Sequence, residues 1–311
     1  VAANIEFIRR IRLEAEFYNR ATKDMLMNVP MPLTSGYSSR YENVGSMVNR
    51  GVDLTLNVDI VQTKDWHVGF NATFSYNKSK ITKLFNGYTE YAMPDYLLCY
   101  AVGHDAGEFY MQKFRGVNPE NGNPQWEVVD PETGAISLTE NFNNATMQLL
   151  GKSRYAPYYG GFGVDASWKG ISLAANFTWN YGKYTVNNML LFLESPGNAT
   201  SFNSGKHLLN MWRKPGDITN VPKWGTNPQF DSHMLEDASF LRLKNLTVAY
   251  DFPKSLIRKS GFIEGLRIYF IGRNLLTATG YSGYDPEMDT NLSLGNYPNS
   301  REFVGGIQLT F

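Results

Sequence analysis

Apolar and polar residues alternate along much of the chain, which is the period of a β-strand that separates two different environments. Between residues 5 and 17 the odd positions carry apolar side chains and the even positions carry mostly charged ones, which predicts one strand. Further strand patterns occupy residues 51–61, 66–77, 158–168, 171–181, 240–252, 266–276 and 301–311. Weaker patterns at 108–117 and 124–129 bring the expected number of strands to about nine or ten.

Most of these segments reach the 9 to 11 residues that a strand needs to cross a bilayer, whereas strands of globular proteins average about 5 to 6. The connections between them alternate in length. Short turns at 61–65 and 169–170 contrast with long polar stretches at about 78–108 and 182–234. This asymmetry is typical of an outer-membrane barrel with short periplasmic turns and long extracellular loops.

Composition supports strands that face lipid. The chain has 19 Tyr, 19 Phe and 6 Trp, and aromatic residues favour strands. Tyr and Trp lie near the ends of the apolar stripes, where they suit the two interfaces of a bilayer. Acidic and basic residues balance at 29 each, so no net charge attracts the chain to nucleic acid.

The sequence contains no stretch that predicts a transmembrane helix and no signal peptide at its start. The first residue already lies inside an alternating stretch, so we expect the chain to begin inside a larger protein. Cys99 is the single cysteine, which excludes an intrachain disulfide framework.

No motif predicts an enzyme. The four histidines are scattered and lack the spacing of a metal site. Neither a nucleophile elbow nor a P-loop is present, and the glycines of "GGFGVD" at 160–165 lack the third glycine of a dinucleotide fingerprint. Small residues beside large aromatics in a barrel wall explain these glycines better.

One loop is a candidate metal site. Oxygen-bearing side chains alternate in "DPEMDTN", at Asp285, Glu287, Asp289 and Asn291, and calcium prefers such ligands. A solvated acidic loop is the alternative. No cofactor is expected apart from this candidate calcium ion.

Aromatic residues in the long loops are candidates for contact with a substrate or with a partner that covers the barrel. Tyr184, Trp212 and Trp224 could stack on sugar rings. They could equally pack the loops against one another.

Four ordered blocks of sequence resemble the C-terminal part of SusC/RagA-type TonB-dependent outer-membrane transporters. The blocks are "NVGSMVNRGVDLTLN" at 43–57, "GVNPENGNPQW" at 116–126, "FLRLKNLTVAYDFPKSL" at 240–256 and "RIYFIGRNLLTATGYSGYDPEM" at 267–288. The chain also ends on alternating apolar residues, and this ending looks like the signal that the barrel-assembly machinery recognises, at Phe303, Ile307, Leu309 and Phe311.

The resemblance implies an all-β fold: residues 1–311 would form about nine or ten strands of an antiparallel 22-strand transmembrane barrel with long extracellular loops. The N-terminal plug and the earlier strands would be absent. It implies import of an oligosaccharide or a peptide across the outer membrane of a Gram-negative bacterium, without enzymatic activity. The expected partners are a SusD-like surface lipoprotein, TonB through the missing N-terminal part, the remaining strands and plug, and the lipid bilayer.

Two other interpretations remain open from the residues alone. One is a self-contained small outer-membrane barrel, either a porin or a hydrolase. The other is a soluble carbohydrate-binding β-sandwich, whose strands should be shorter and should lack continuous aromatic stripes on their outer faces.

Overall fold

The computed structural model describes residues 1–93, 95, 97–195, 203–257, 261–288, 290, 292–293 and 295–311. Within these residues one antiparallel sheet of nine strands forms a curved wall. Strands that are neighbours in this wall also follow one another along the chain. The wall strands are β1 (Ala2–Phe7), β2 (Ile11–Pro30), β3 (Ser39–Gln62), β4 (Trp66–Lys83), β12 (Tyr158–Trp168), β13 (Ile171–Tyr181), β16 (Phe240–Asp251), β17 (Gly265–Thr279) and β19 (Glu302–Thr310).

The prediction of a single strand at 5–17 is wrong, because this stretch holds a hairpin. The backbone reverses at Ile8 and Arg9, both with φ of 54°, and Phe7 then lies opposite Ile11 in the register of β1 and β2. Ile11 has the same parity in the sequence as Phe7 and points to the same face of the sheet. The alternation therefore continues through the turn, and the pattern alone does not reveal it.

The weaker segments at 108–117 and 124–129 are also misassigned, since they form strands outside the wall. They contain β7 (Glu108–Gln112), β8 (Phe114–Val117) and β9 (Pro124–Val129). In β7 and β9, buried residues lie on both faces, as expected for short strands in a packed layer and unlike a wall between lipid and lumen. The wall still has nine strands, because the eight strong sequence patterns each contain one wall strand and β1 is an additional strand that the prediction merged with β2.

One face of the wall is apolar and is bounded by two rows of aromatic side chains. Trp66 of β4 stacks on Trp168 of β12, with ring centroids 5.3 Å apart, and Tyr76 stacks on Tyr158 at 5.1 Å. Trp66 and Tyr76 are ten residues apart on β4, which is about 33 Å along a strand. At a tilt of about 40° this corresponds to about 25 Å along the membrane normal, the height of the lipid-facing band in outer-membrane barrels.

The opposite face is polar along its middle rows. In register, Thr55 of β3 is followed across the wall by Thr73, Gly161, Thr178, Arg242 and Thr277. The next row toward the short turns contains Asn57, Asn71, Gly163, Asn176 and Asn245. This distribution, apolar outside and polar inside, is that of a barrel with an aqueous lumen.

The connections divide cleanly between the two ends of the wall. One end, the turn end, has the connections at 8–10, 63–65, 169–170 and 252–264; the other end, the loop end, has those at 31–38, 84–157, 182–239 and 280–301. The short helix α2 (Lys254–Ile257) lies in the last turn-end connection. The predicted short turns near 61–65 and 169–170 and the predicted long loops are confirmed, although the turn-end connection at 252–264 is longer than the loop-end connection at 31–38.

The long loops fold into a layer that we call the loop cap. In the described part of the chain it contains three small sheets. Their remaining strands are β5 (Glu90–Met93), β6 (Leu98–Ala101), β10 (Ile136–Thr139), β11 (Met147–Ser153), β14 (Tyr184–Asn187), β15 (Leu235–Asp237) and β18 (Leu292–Ser293), and α1 (Met189–Leu193) follows β14.

The loop cap has its own hydrophobic core. Phe109, Met111, Val186 and Met234 have no exposed surface and pack in one cluster with neighbouring leucines. A cap with such a core is an ordered structure and not a set of independent loops. No helix among the described residues is long and apolar enough to cross a membrane.

Candidate functional site

The lumenal face of the wall requires small residues beside its asparagine row. Gly163 lies between Asn71 and Asn176 in the register. A Cβ atom at Gly163 would lie 2.5 Å from Asn176 Oδ1 and 2.8 Å from Asn71 Nδ2. The glycines of "GGFGVD" therefore belong to strand β12, as predicted, and Gly163 leaves room for the asparagine side chains in the lumen.

The connection between β17 and β19 is tied to this lumenal face by buried charges. Arg242 Nη2 lies 2.6 Å from Asp285 Oδ1, with side chains only 5% and 2% exposed. A second Arg242 nitrogen pairs with Glu287, and Lys244 Nζ lies 2.7 Å from Glu287 Oε1. The Asn299 backbone N–H donates to Asp285 Oδ2 at 2.8 Å. These five residues form what we call the lumenal latch.

Residues next to the latch are also held by hydrogen bonds from Lys183 and Thr185, which lie at the start of the connection after β13. Lys183, between β13 and β14, is buried, and its ammonium donates to the Pro286 carbonyl at 3.1 Å and to the Met288 carbonyl. Thr185 Oγ1 donates to the Thr290 carbonyl at 3.0 Å. Cations from strand β16 and from the connection between β13 and β14 thus hold residues 285–288 against the inside of the wall.

The candidate calcium ligands participate in the latch. Asp285 and Glu287 face Arg242 and Lys244, while Asp289 and Asn291 lie outside the described residues. Burial raises the pKa of Asp285, but hydrogen bonds from Arg242 and from the Asn299 backbone outweigh it and hold the pKa below its usual value. Among the described residues no cluster of three acidic, His or Cys side chains could hold a metal ion. Calcium at this loop stays a prediction.

A second buried polar cluster joins distant parts of the loop cap. The Glu194 carboxylate lies 2.8 Å from His233 Nε2 and 3.2 Å from His207 Nε2. Asp231 accepts hydrogen bonds from Trp126 Nε1 at 2.6 Å and from the His233 backbone at 2.8 Å. We call these five residues the histidine cluster, and they connect β9 to three segments of the 182–239 loop.

The surroundings raise the pKa values of two members of this cluster, Asp231 and His233. Burial raises the pKa of Asp231 to about 6, against the opposing effect of the Trp126 hydrogen bond. Burial alone would lower the pKa of His233, but the hydrogen bond and charge of Glu194 raise it above the usual value. Both groups therefore keep a proton to higher pH in the folded cap than in the unfolded chain.

The three predicted contact residues lie in different surroundings. Tyr184 lines a cavity of about 770 Å³ at the loop end, and the Lys152 ammonium lies 4.8 Å from the centre of its ring. Trp212 Nε1 donates to the Pro119 carbonyl at 3.0 Å, which is a packing role. Trp224 is 62% exposed. The structure does not bring these three residues into one site, and their contact with substrate or partner stays a prediction.

The four C-terminal apolar residues share the outer face of β19. Ile307 lies opposite Ile268 and Leu309 opposite Leu266. Phe303, Ile307, Leu309 and Phe311 are 45 to 73% exposed, on the face that carries the aromatic rows. This position agrees with a lipid-facing strand, and their role as an assembly signal stays a prediction.

The cationic members of the latch and the histidine cluster were missed by the sequence analysis. Arg242 and Lys244 occur in "FLRLKNL" at 240–246, where a charge between apolar residues in a spanning strand is a signal for a buried partner. The sequence offers no comparable signal for Asp231 or Glu194, because their partners come from distant loops.

Comparison with known proteins identifies relatives of the whole chain. It is 30% identical to TonB-dependent receptor P3 of Formosa agariphila over 98% of its length, and 26% identical to TonB-dependent receptor SusC of Bacteroides thetaiotaomicron over 94%. The solved RagAB peptide importer in its open-open state superimposes with a TM-score of 0.89 at 44% identity over 98% of the chain. No family model matches.

The chain belongs to the SusC/RagA-type TonB-dependent transporters. It covers 33% of receptor P3, 29% of SusC and 33% of the RagAB importer chain, so it spans about a third of the length of these relatives. The predicted family and the all-β barrel-wall fold are both confirmed, which rules out the soluble sandwich.

Proposed function

We propose that this chain forms part of the wall and the loop cap of a transporter that imports a nutrient across the outer membrane of a Gram-negative bacterium. The observation that carries the proposal is the nine-strand wall, apolar outside and polar inside, with long loops at one end. Its likeness to RagAB at 44 to 45% identity supports the same conclusion. The relatives are receptors and importers, in agreement with the prediction that the chain is not an enzyme.

A peptide is the substrate class that we propose, because the relatives of highest identity among those described are peptide importers. The polar lumen is compatible with a peptide substrate. Threonine and asparagine side chains across the lumenal rows can donate to and accept from peptide groups of any sequence.

In this proposal the remaining parts of the barrel, a surface lipoprotein and TonB are supplied from outside residues 1–311. Residues 1–311 form the C-terminal part of a barrel of 22 strands, and the free edges of β1 and β19 pair with strands outside this chain. A SusD-like surface lipoprotein covers the loop end, and TonB supplies energy through the N-terminal part. The solved relative is named RagAB, with two component letters, and this name supports a partner protein for the transporter.

The test is purification of the full-length transporter from outer membranes in mild detergent, followed by mass spectrometry of what it carries. We expect a copurifying surface lipoprotein and a mixture of short peptides released on denaturation. Oligosaccharides without peptides would overturn the substrate class. A stable 35 kDa protein without partners would overturn the proposal and favour the small self-contained barrel.

A further inference from the structure

A cluster of basic residues lies on the outer face of the wall, directly above the aromatic row at the loop end. Arg50 of β3 and Lys78 of β4 are opposite each other in register, and Lys80 is two residues further along β4. Arg50 has the parity of Val52, and both lysines have the parity of Tyr76, so all three side chains point to the lipid side. We call these three residues the outer basic cluster.

These cations lack acidic partners. All three are exposed, and none of them forms an ion pair within the described residues, where Arg50 Nε instead donates to Asn19 Oδ1 at 3.2 Å. Like charges directly opposite each other on neighbouring strands destabilise a sheet. An anion outside the chain would relieve the repulsion between Arg50 and Lys78.

The height of the cluster indicates which anion this is. Lys78 is two residues and Lys80 four residues above Tyr76, which is about 5 Å and about 10 Å along the membrane normal at a tilt of about 40°. A headgroup layer extends for about 5 to 8 Å beyond the hydrocarbon core on each side. Lys78 therefore lies within the headgroup layer, and Lys80 lies just beyond it, where its long side chain can reach back to the headgroups.

A cavity opens beside the cluster at the loop end of the wall, and residues of both parities on β4, such as Asn77 and Lys78, line it. Lys78 and Lys80 line the 770 Å³ cavity together with Tyr76 and Tyr158 of the aromatic row. Two carboxylates also line it, but both have other partners. Asp105 accepts from Ser153 Oγ at 2.6 Å and from the Gly107 N–H at 2.8 Å; Glu108 accepts from the Gly151 N–H at 2.8 Å and contacts His104 Nδ1 at 3.0 Å.

From these observations we propose that Arg50, Lys78 and Lys80 bind the phosphate group of an anionic glycolipid in the outer leaflet, with the acyl chains along the apolar face below Tyr76 and Tyr158. Guanidinium and ammonium groups form charge-assisted hydrogen bonds with phosphate oxygens. The inference rests on the membrane placement in the proposed function but not on the substrate, because the cluster faces away from the lumen.

The experiment uses the full-length transporter in detergent and measures its affinity for phosphorylated lipid A by native mass spectrometry. Each cation near a charged lipid surface changes the affinity about fivefold, so the triple variant R50Q/K78Q/K80Q should bind about 100-fold more weakly. The matched control R10Q/K64Q/K169Q removes three cations from the turn end and should bind like the unchanged protein.

Three outcomes would overturn the proposal. The first is equal affinity of the R50Q/K78Q/K80Q variant and the control. The second is a loss of the expected phosphate-lipid specificity. The unchanged protein would then bind dephosphorylated lipid A equally well, or inorganic phosphate alone would saturate the cluster and indicate a site for free anions. The third is loss of the copurifying lipoprotein from the variant with unchanged lipid affinity, which would make the cluster a protein contact. Peptide uptake by the same variants tests the proposed function separately.

Discussion

Replacement of Arg242 by methionine should release the connection between β17 and β19 from the inside of the wall. Methionine keeps much of the side-chain volume but removes the charge that pairs with Asp285 and Glu287. Removal of one partner of a buried ion pair costs about 3 to 5 kcal/mol, since the other charge stays buried without compensation. Asp285 keeps the Asn299 donors, so we expect the lower end, about 3 kcal/mol.

Hydrogen exchange of the full-length transporter measures this loss where it occurs. A decrease of about 3 kcal/mol in the free energy of local opening makes exchange about 100-fold faster. The effect should appear in peptides covering residues 280–288 and 295–301, with little change in strands β2 to β4.

Lys244 provides the matched control for Arg242. Its side chain is 33% exposed and contacts the same Glu287, so Lys244→Met should cost at most about 1 kcal/mol, or about fivefold in exchange. Equal effects of the two substitutions, or an unchanged exchange rate for Arg242→Met, would refute the argument that burial gives the latch its strength.

Three further predictions concern other parts of the molecule. Gly163→Val should lower the temperature at which the full-length barrel loses its heat-modifiable gel mobility, because a Cβ there lies 2.5 Å from an asparagine oxygen, whereas Gly305→Ala, with open space around it, should not. The raised pKa values of Asp231, about 6, and of His233 mean that the folded cap binds more protons than the unfolded one. Its stability should fall as the pH rises from about 4 to about 6, where Asp231 loses its proton, and fall further as the pH rises through the raised pKa of His233. Asp231→Asn should reduce this dependence measured by hydrogen exchange. Phe311→Ala should lower the amount of full-length transporter in isolated outer membranes, and Phe311→Trp should largely keep it.

The wall could be predicted from the sequence because a strand between lipid and water must alternate at every second residue. The stripes on β3, β4, β12 and β13 follow this rule over their full membrane-spanning length. Even the error at 5–17 follows from it, since the reversal at Ile8 and Arg9 preserves the alternation.

The loop cap could not be predicted in this way, because its strands are short and some of them, such as β7 and β9, are buried on both faces. Its polar clusters connect residues far apart in the chain: Trp126 bonds to Asp231 across 105 positions and Lys183 bonds to Pro286 across 103. Local patterns carry no information on such pairs. Only Arg242 and Lys244 had a local signal, as charges inside a spanning strand.

The two edges of the wall show why this sheet belongs to a larger barrel. In the described chain, β1 and β19 each have a neighbour on one side only, so about half of their backbone N–H and C=O groups point away from the sheet. Each such group costs several kcal/mol in hydrocarbon, and for the nine residues of β19 the total is on the order of tens of kcal/mol. This exceeds the entire stability of an ordinary domain, about 5 to 15 kcal/mol. The outer face of the wall can therefore remain in lipid only where both edges are paired in a closed ring, and the apolar stripes that identify the wall also require that closure.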